Sequence, residues 1–172
     1  KKGEIYEGRV QEVLFPDKAI VVTDEGETAQ VKYGIPGQKL RFRVKKKRKE
    51  KIEGILLEIL EKSADETACL CEWAGKCGGC LYQTLPYEKQ LAIKEAQIKK
   101  MLDNGGTDYT FEGIVSSPVV SGYRNKVELT FGDSYMGGPL ALGMHQRGSF
   151  YDIVSVSDCQ IVDEDYRKIL VM

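Results

Sequence analysis

The sequence predicts an α+β fold in two domains: a small closed β-barrel, then a domain with one helix and an antiparallel meander. Short alternating apolar segments fill the first third of the chain, whereas the only strong helical periodicity comes later. All five cysteines of the 172 residues also lie in the later part. We place the domain boundary near residue 64, which gives domains over residues 1–64 and 65–172.

The composition is globular and carries almost no net charge. Charged residues make up 30% of the sequence, hydrophobic residues 42%, and the formal net charge is −1. These values exclude a disordered chain and a uniformly basic protein, although a local basic patch is compatible with them. No signal peptide and no membrane-spanning run is visible. We therefore expect a cytoplasmic monomer with no membrane partner, and a piece of a longer protein, because the first residue is not Met.

Five short strands are predicted in the first domain. Apolar residues alternate or cluster in five segments, and turn signals rich in Gly, Pro and Asp separate the segments. A sheet of this size needs closure or a partner to be stable, so we predict a five-stranded barrel of the OB type. The segments are 5–15, 19–23, 28–33, 40–45 and 52–60.

The fourth segment begins a concentrated run of positive charge. Lys39–Lys51 holds nine Lys and Arg residues and one Glu. Alternation puts cations on one face of the strand and apolar residues on the other. The cationic face is either a solvated edge, where Lys discourages aggregation, or a phosphate-binding surface. We predict RNA binding by the cations of this segment, namely Arg41, Arg43, Lys45, Lys46, Lys47, Arg48 and Lys49.

The second domain shows one clear helical signal, over residues 86–103. Pro86 suits a first helical turn, and Gly105-Gly106 can end the helix. Its apolar stripe, which is most simply core, consists of Tyr87, Leu91, Ile98 and Leu102. Three alternating segments follow, which predicts the meander, and the single His145 is expected to be a plain surface or edge residue. The three segments are 123–131, 140–145 and 150–156.

The sharpest motif is Cys71-x5-Cys77-Gly78-Gly79-Cys80. A tight turn lets two Cys three positions apart direct their sulfurs at one site, and we expect the two glycines to take positive φ there. A fourth ligand is then required, and Cys69 and Cys159 are the candidates. Spacing alone is compatible with an iron–sulfur cluster, a structural zinc site or free buried thiols.

The barrel and the motif together resemble the RNA uracil-5-methyltransferase family, and more narrowly its 23S rRNA branch. The resemblance spans nearly the whole chain and is carried by segments 71–83, 87–91, 122–126, 152–154 and 158–159. It implies that the barrel is a TRAM domain, an RNA-binding fold of the OB type. It also implies a [4Fe-4S] cluster whose ligands are Cys71, Cys77, Cys80 and Cys159, while Cys69 matches no ligand.

The resemblance also implies a missing part. Family members continue into a Rossmann-like domain that binds S-adenosyl-L-methionine and carries the Cys nucleophile and Glu base acting on the uracil ring. The sequence has no glycine-rich nucleotide-binding motif, so we expect no catalytic residue and no activity in this chain alone. The helix over 86–103 is a candidate for docking on the missing domain, and Arg124 and Lys126 are further candidates for RNA contact.

The sequence thus predicts the RNA-binding, cluster-bearing part of an S-adenosyl-L-methionine-dependent methyltransferase that modifies uracil in 23S rRNA. Two alternatives stay open. One is a fragment of a tRNA uracil-5-methyltransferase, and the other is a non-enzymatic RNA-binding module with a zinc site.

Overall fold

The computed structural model describes residues 1–49 and 51–171. The single Glu of the basic run, Glu50, lies outside the described residues. The elements are β1 (Ile5–Leu14), β2 (Lys18–Thr23), β3 (Thr28–Lys32), β4 (Lys39–Arg48), β5 (Lys51–Glu61), α1 (Tyr87–Asn104), β6 (Thr130–Asp133), β7 (Leu140–His145), β8 (Ile153–Val154) and α2 (Glu164–Leu170).

The first five strands close into a barrel in the order β1-β2-β3-β5-β4. The pairing of β3 with β5 is parallel, and β1 closes the barrel against β4 in an antiparallel ladder. The predicted five-stranded, OB-like barrel is therefore confirmed. Gly54 is required inside it, because a Cβ at this position would overlap the ring of Phe42, the largest fully buried side chain.

The alternation predicted for β4 is also confirmed. Leu40, Phe42 and Val44 point into the barrel and are buried. Residues 41, 43 and 45 therefore project outward, and the cations from Lys45 to Lys49 are all exposed. The apolar half of β4 stabilises the barrel, which leaves the cationic half available to other molecules.

The helix exists where it was predicted, but the predicted apolar stripe is wrong as a core. Ile98 is 42% exposed and Leu102 37% exposed, whereas the polar Gln97 is buried. The reason is a specific contact with the barrel, in which the Gln97 amide Nε2 donates to the carbonyl of Val13 at 3.1 Å. Because a hydrogen bond of a polar side chain determines which face of α1 is buried, the spacing of apolar residues alone does not identify that face.

The chain separates into two compact units that differ from the proposed sequence domains. One unit contains residues 1–66 and 85–114, and the other contains residues 67–84 and 115–172. The helix α1 therefore packs with the barrel, because its contacts are with β1.

The second unit contains the sheet β6-β7-β8, with both pairs of strands antiparallel. The meander is confirmed, but its predicted first strand is wrong over residues 123–129, where the described backbone is not strand. Arg124 instead donates its backbone N–H to the carbonyl of Ile161 and forms an isolated bridge with Val162. The sequence prediction also missed α2, a seven-residue helix that is capped by the Asp163 side chain.

Replacing Gln97 by Ala is expected to destabilise the barrel unit by about 1–3 kcal/mol, because the buried Val13 carbonyl loses its side-chain donor. Urea denaturation monitored by circular dichroism measures this loss. Lys100→Ala is the matched control on the same helix. It removes only a half-exposed ion pair with Glu12, so it is expected to have little effect. Equal stability of the Gln97 variant and the parent would contradict the anchoring role.

Among the described residues, neither helix has the length and apolar composition needed to cross a lipid bilayer.

Candidate cysteine site and nucleic-acid interface

Four cysteines from two distant parts of the chain line one apolar pocket in the second unit. Cys71, Cys77 and Cys80 come from the loop over residues 67–84, and Cys159 follows β8. The loop is closed at its base by the Thr67 N–H, which donates to the carbonyl of Thr84 at 2.8 Å. The remaining apolar walls of the pocket include Val127, Leu129, Met144, Val156, Ile161 and Val162.

Two of the four thiols, those of Cys71 and Cys80, have a raised pKa. Burial first, and then the neighbouring thiols of Cys159, Cys77 and Cys71, raise the pKa of Cys80 to about 11. Burial is also the main reason that the pKa of Cys71 is raised, with further contributions from Cys69, Cys159 and Cys77. Cys71 and Cys80 therefore favour the neutral thiol in the absence of a bound cation, so a metal group must displace their protons in order to bind.

The loop backbone approaches sulfur and carbonyl groups closely. The Gly79 N–H donates to Sγ of Cys77 at 3.3 Å, and the Cys71 N–H donates to Sγ of Cys69 at 3.4 Å. The prediction that Gly78 and Gly79 take positive φ is wrong, since Gly75 is the loop glycine in that region, at φ +85°. Gly78 serves close packing instead, because a Cβ there would lie 3.0 Å from the carbonyl oxygen of His145.

The thiols do not form a ready ligand set for a single metal ion. Within residues 1–49 and 51–171, no group of three or more His, Cys, Asp and Glu side chains is placed so that it could hold one. The fit to a metal group therefore rests on the donor chemistry, which is four cysteines around one apolar pocket. That donor set is shared by iron–sulfur clusters and by zinc sites that have four cysteine ligands.

The cations of β4 differ in how far they are already neutralised. Arg41 forms ion pairs with Glu58 at 2.7 Å and with Glu7 at 2.8 Å, and Lys47 pairs with Glu27 at 2.5 Å. In the described part of the chain, the other five predicted cations make no ion pair with a carboxylate. These five are Arg43, Lys45, Lys46, Arg48 and Lys49.

The two predicted cations of the second unit have different surroundings. Arg124 is half-buried and lines the cysteine pocket, where its charge acts to lower the pKa of Cys80. Lys126 is exposed and pairs with Glu128 at 3.1 Å. No sequence signal indicates the position of Arg124 beside the cysteines, because a backbone pairing with residues 161–162 puts it there.

The fold and the site define a class of chain: an OB-like barrel with a cationic strand, joined to a unit with a four-cysteine pocket. The chain is 44% identical over 171 residues to an uncharacterized RNA methyltransferase of Clostridium tetani, covering 99% of this chain and 37% of the relative. It is 45% identical over 170 residues to a second one from Caldanaerobacter subterraneus, covering 98% of this chain and 37% of the relative. No family model matches.

A solved structure shares the fold. The crystal structure of Pyrococcus abyssi tRNA (uracil-54, C5)-methyltransferase in complex with S-adenosyl-L-homocysteine aligns with a TM-score of 0.60 and 21% identity. The alignment covers 96% of this chain and 35% of that one. At this identity the likeness establishes the fold alone.

The resemblance recognised in the sequence is confirmed at the level of RNA methyltransferases. Homologues that cover this chain at 41–45% identity are RNA methyltransferases. The chain spans 37% of the length of these curated relatives.

Proposed function

We propose that this chain is the RNA-binding, [4Fe-4S]-bearing part of an S-adenosyl-L-methionine-dependent RNA uracil-5-methyltransferase that acts on 23S rRNA. The observation that carries the proposal is the convergence of four cysteines, separated by up to 88 positions, on one pocket. The RNA methyltransferase homologues support the enzyme class. The proposed protein is cytoplasmic and monomeric, and its catalytic residues lie in a separate methyltransferase domain.

In this proposal Cys71, Cys77, Cys80 and Cys159 ligate the cluster, which supplies a rigid anionic cross-link between two distant segments. Three features of the pocket suit such a group. Its walls are apolar, Arg124 supplies a positive charge that offsets the thiolates, and the Gly79 N–H points at a ligand sulfur. Amide N–H groups directed at cluster sulfurs are a usual means of stabilising the anionic group.

The affinity for RNA is proposed to come from the cationic face of β4. Phosphate contacts release counterions and give affinity without sequence information. Arg43, Lys45, Lys46, Arg48 and Lys49 are proposed to contribute most, because their charges are not already engaged by carboxylates of the described residues. Arg41 and Lys47 must give up their ion pairs to bind a phosphate, so we assign them smaller contributions.

The proposed substrate is tested by measuring methyl transfer to RNA by the longer protein that contains this chain. Tritium release from C5 of uracil is expected with a 23S rRNA transcript and not with a tRNA transcript. The reverse pattern would support the tRNA methyltransferase alternative. Activity on neither RNA, together with one bound zinc per chain, would support the non-enzymatic module.

The chain by itself is expected not to bind S-adenosyl-L-methionine and not to methylate RNA, because the proposed catalytic domain is separate. Isothermal titration calorimetry of the 172-residue chain checks this expectation. The longer protein is the positive control and should bind the cofactor with a saturable heat. Saturable binding to the shorter chain would contradict the proposed division of the enzyme.

A further inference from the structure

Three aromatic rings form an exposed cluster where β7 ends. The rings of His145 and Phe150 stack with centroids 5.8 Å apart, and the rings of Phe150 and Tyr151 meet edge to face at 5.3 Å. Phe150 is 78% exposed and Tyr151 is 81% exposed. Grouped aromatic side chains left in water are typical of a binding surface. The sequence prediction of a plain surface role for His145 missed this grouping.

Backbone hydrogen bonds tie this aromatic cluster to the cysteine loop. The Gly78 N–H donates to the carbonyl of His145 at 2.9 Å, and the Arg147 N–H donates to the carbonyl of Lys76 at 2.6 Å. The Arg147 guanidinium also donates to the carbonyl of Cys80 at 2.5 Å. The segment that carries the rings is therefore hydrogen-bonded directly to the loop that supplies three of the four thiols.

We propose that His145, Phe150 and Tyr151 form a platform on which an unpaired RNA base stacks, and that the ligated cysteine loop holds this platform in position. The inference rests on the proposed RNA-binding function and adds the mode of recognition. A base in a duplex has both faces covered by its neighbours, so only an unpaired base offers a free face to the rings.

The test measures how strongly the 172-residue chain binds a fluorescein-labelled single-stranded oligonucleotide of mixed sequence over a range of salt concentrations. The double variant Phe150→Leu, Tyr151→Leu is expected to bind about tenfold more weakly at every salt concentration. The slope of log K against log salt should not change, because no charge is lost. Binding to the corresponding duplex should also be unchanged.

The matched control is Tyr135→Leu, a tyrosine of the β6–β7 turn that is 64% exposed and lies outside the aromatic cluster. This variant should bind as the parent does. If the double variant binds the single strand as tightly as the parent, the platform is overturned. A parent chain with no affinity for either RNA would overturn the proposed RNA-binding function itself.

A double-mutant cycle tests whether RNA binding by the aromatic platform depends on the cysteine loop. Loss of the cluster through Cys159→Ala should weaken single-strand binding to the same extent as the aromatic double variant. Combining the two changes should cause no further loss, because both remove the same interaction. Additive losses would overturn the coupling of platform and loop, and a retained circular dichroism signal shows that the barrel is folded in each variant.

Discussion

Replacing Cys159 by Ala is expected to abolish cluster binding, whereas replacing Cys69 by Ala is expected to leave it intact. Cys159 lines the pocket with the three thiols of the loop, and a cluster with four cysteine ligands cannot be completed without its fourth thiolate. Cys69 is not among the described residues that line this pocket. The parent, purified without oxygen, should be brown and contain about four iron and four sulfide per chain.

Trp73 provides a second measurement of the same site. It is the single tryptophan of the chain and lines the cysteine pocket. Its fluorescence should be quenched in the cluster-bearing parent and in the Cys69 variant, and recovered in the Cys159 variant. A colourless parent with one zinc per chain would contradict the cluster. Equal iron loss in both variants would contradict the assignment of ligands.

Reversing Arg43, Lys45 and Lys46 to Glu is expected to lower the affinity for any RNA by orders of magnitude at low salt. The three side chains belong to the cationic half of β4 and have no carboxylate partner among the described residues, so each change removes an available charge and adds a repulsive one. The slope of log K against log salt should fall by roughly one unit per lost phosphate contact. Filter binding of single-stranded and structured RNA measures both quantities.

The control on the same strand is Arg41→Gln. Its guanidinium is held by Glu7 and Glu58, so removing this charge should change RNA affinity only slightly. The barrel should stay folded in all variants, because none of the altered positions belongs to the buried side of β4. Unchanged binding by the triple variant would show that the cationic strand is a solvated edge, and the RNA grip would then have to lie elsewhere.

Much of this fold could be read from the sequence because the information is local. The five strands of the barrel follow from period-two alternation in short segments between turn residues, and each strand needs only a buried interior to satisfy that pattern. The same holds for the two faces of β4 and for the existence of α1, which begins after Pro86 and ends at Gly105. The spacing of Cys71, Cys77 and Cys80 singled out the three loop cysteines of the pocket, whereas Cys159 was named only through the family resemblance.

The tertiary structure alone decided which groups meet. In the folded protein, the face of α1 that packs against the barrel contains the buried Gln97 and not the predicted apolar stripe. The backbone of residue 124 pairs with residues 161–162 and does not form part of a sheet. The folded chain also places Glu7 and Glu58 beside Arg41, whereas no carboxylate of the described residues pairs with Arg43. These outcomes depend on hydrogen bonds and ion pairs between residues far apart in the chain, which periodicity does not encode. A polar contact is selected by distance and direction in the folded protein, and a sequence pattern specifies neither.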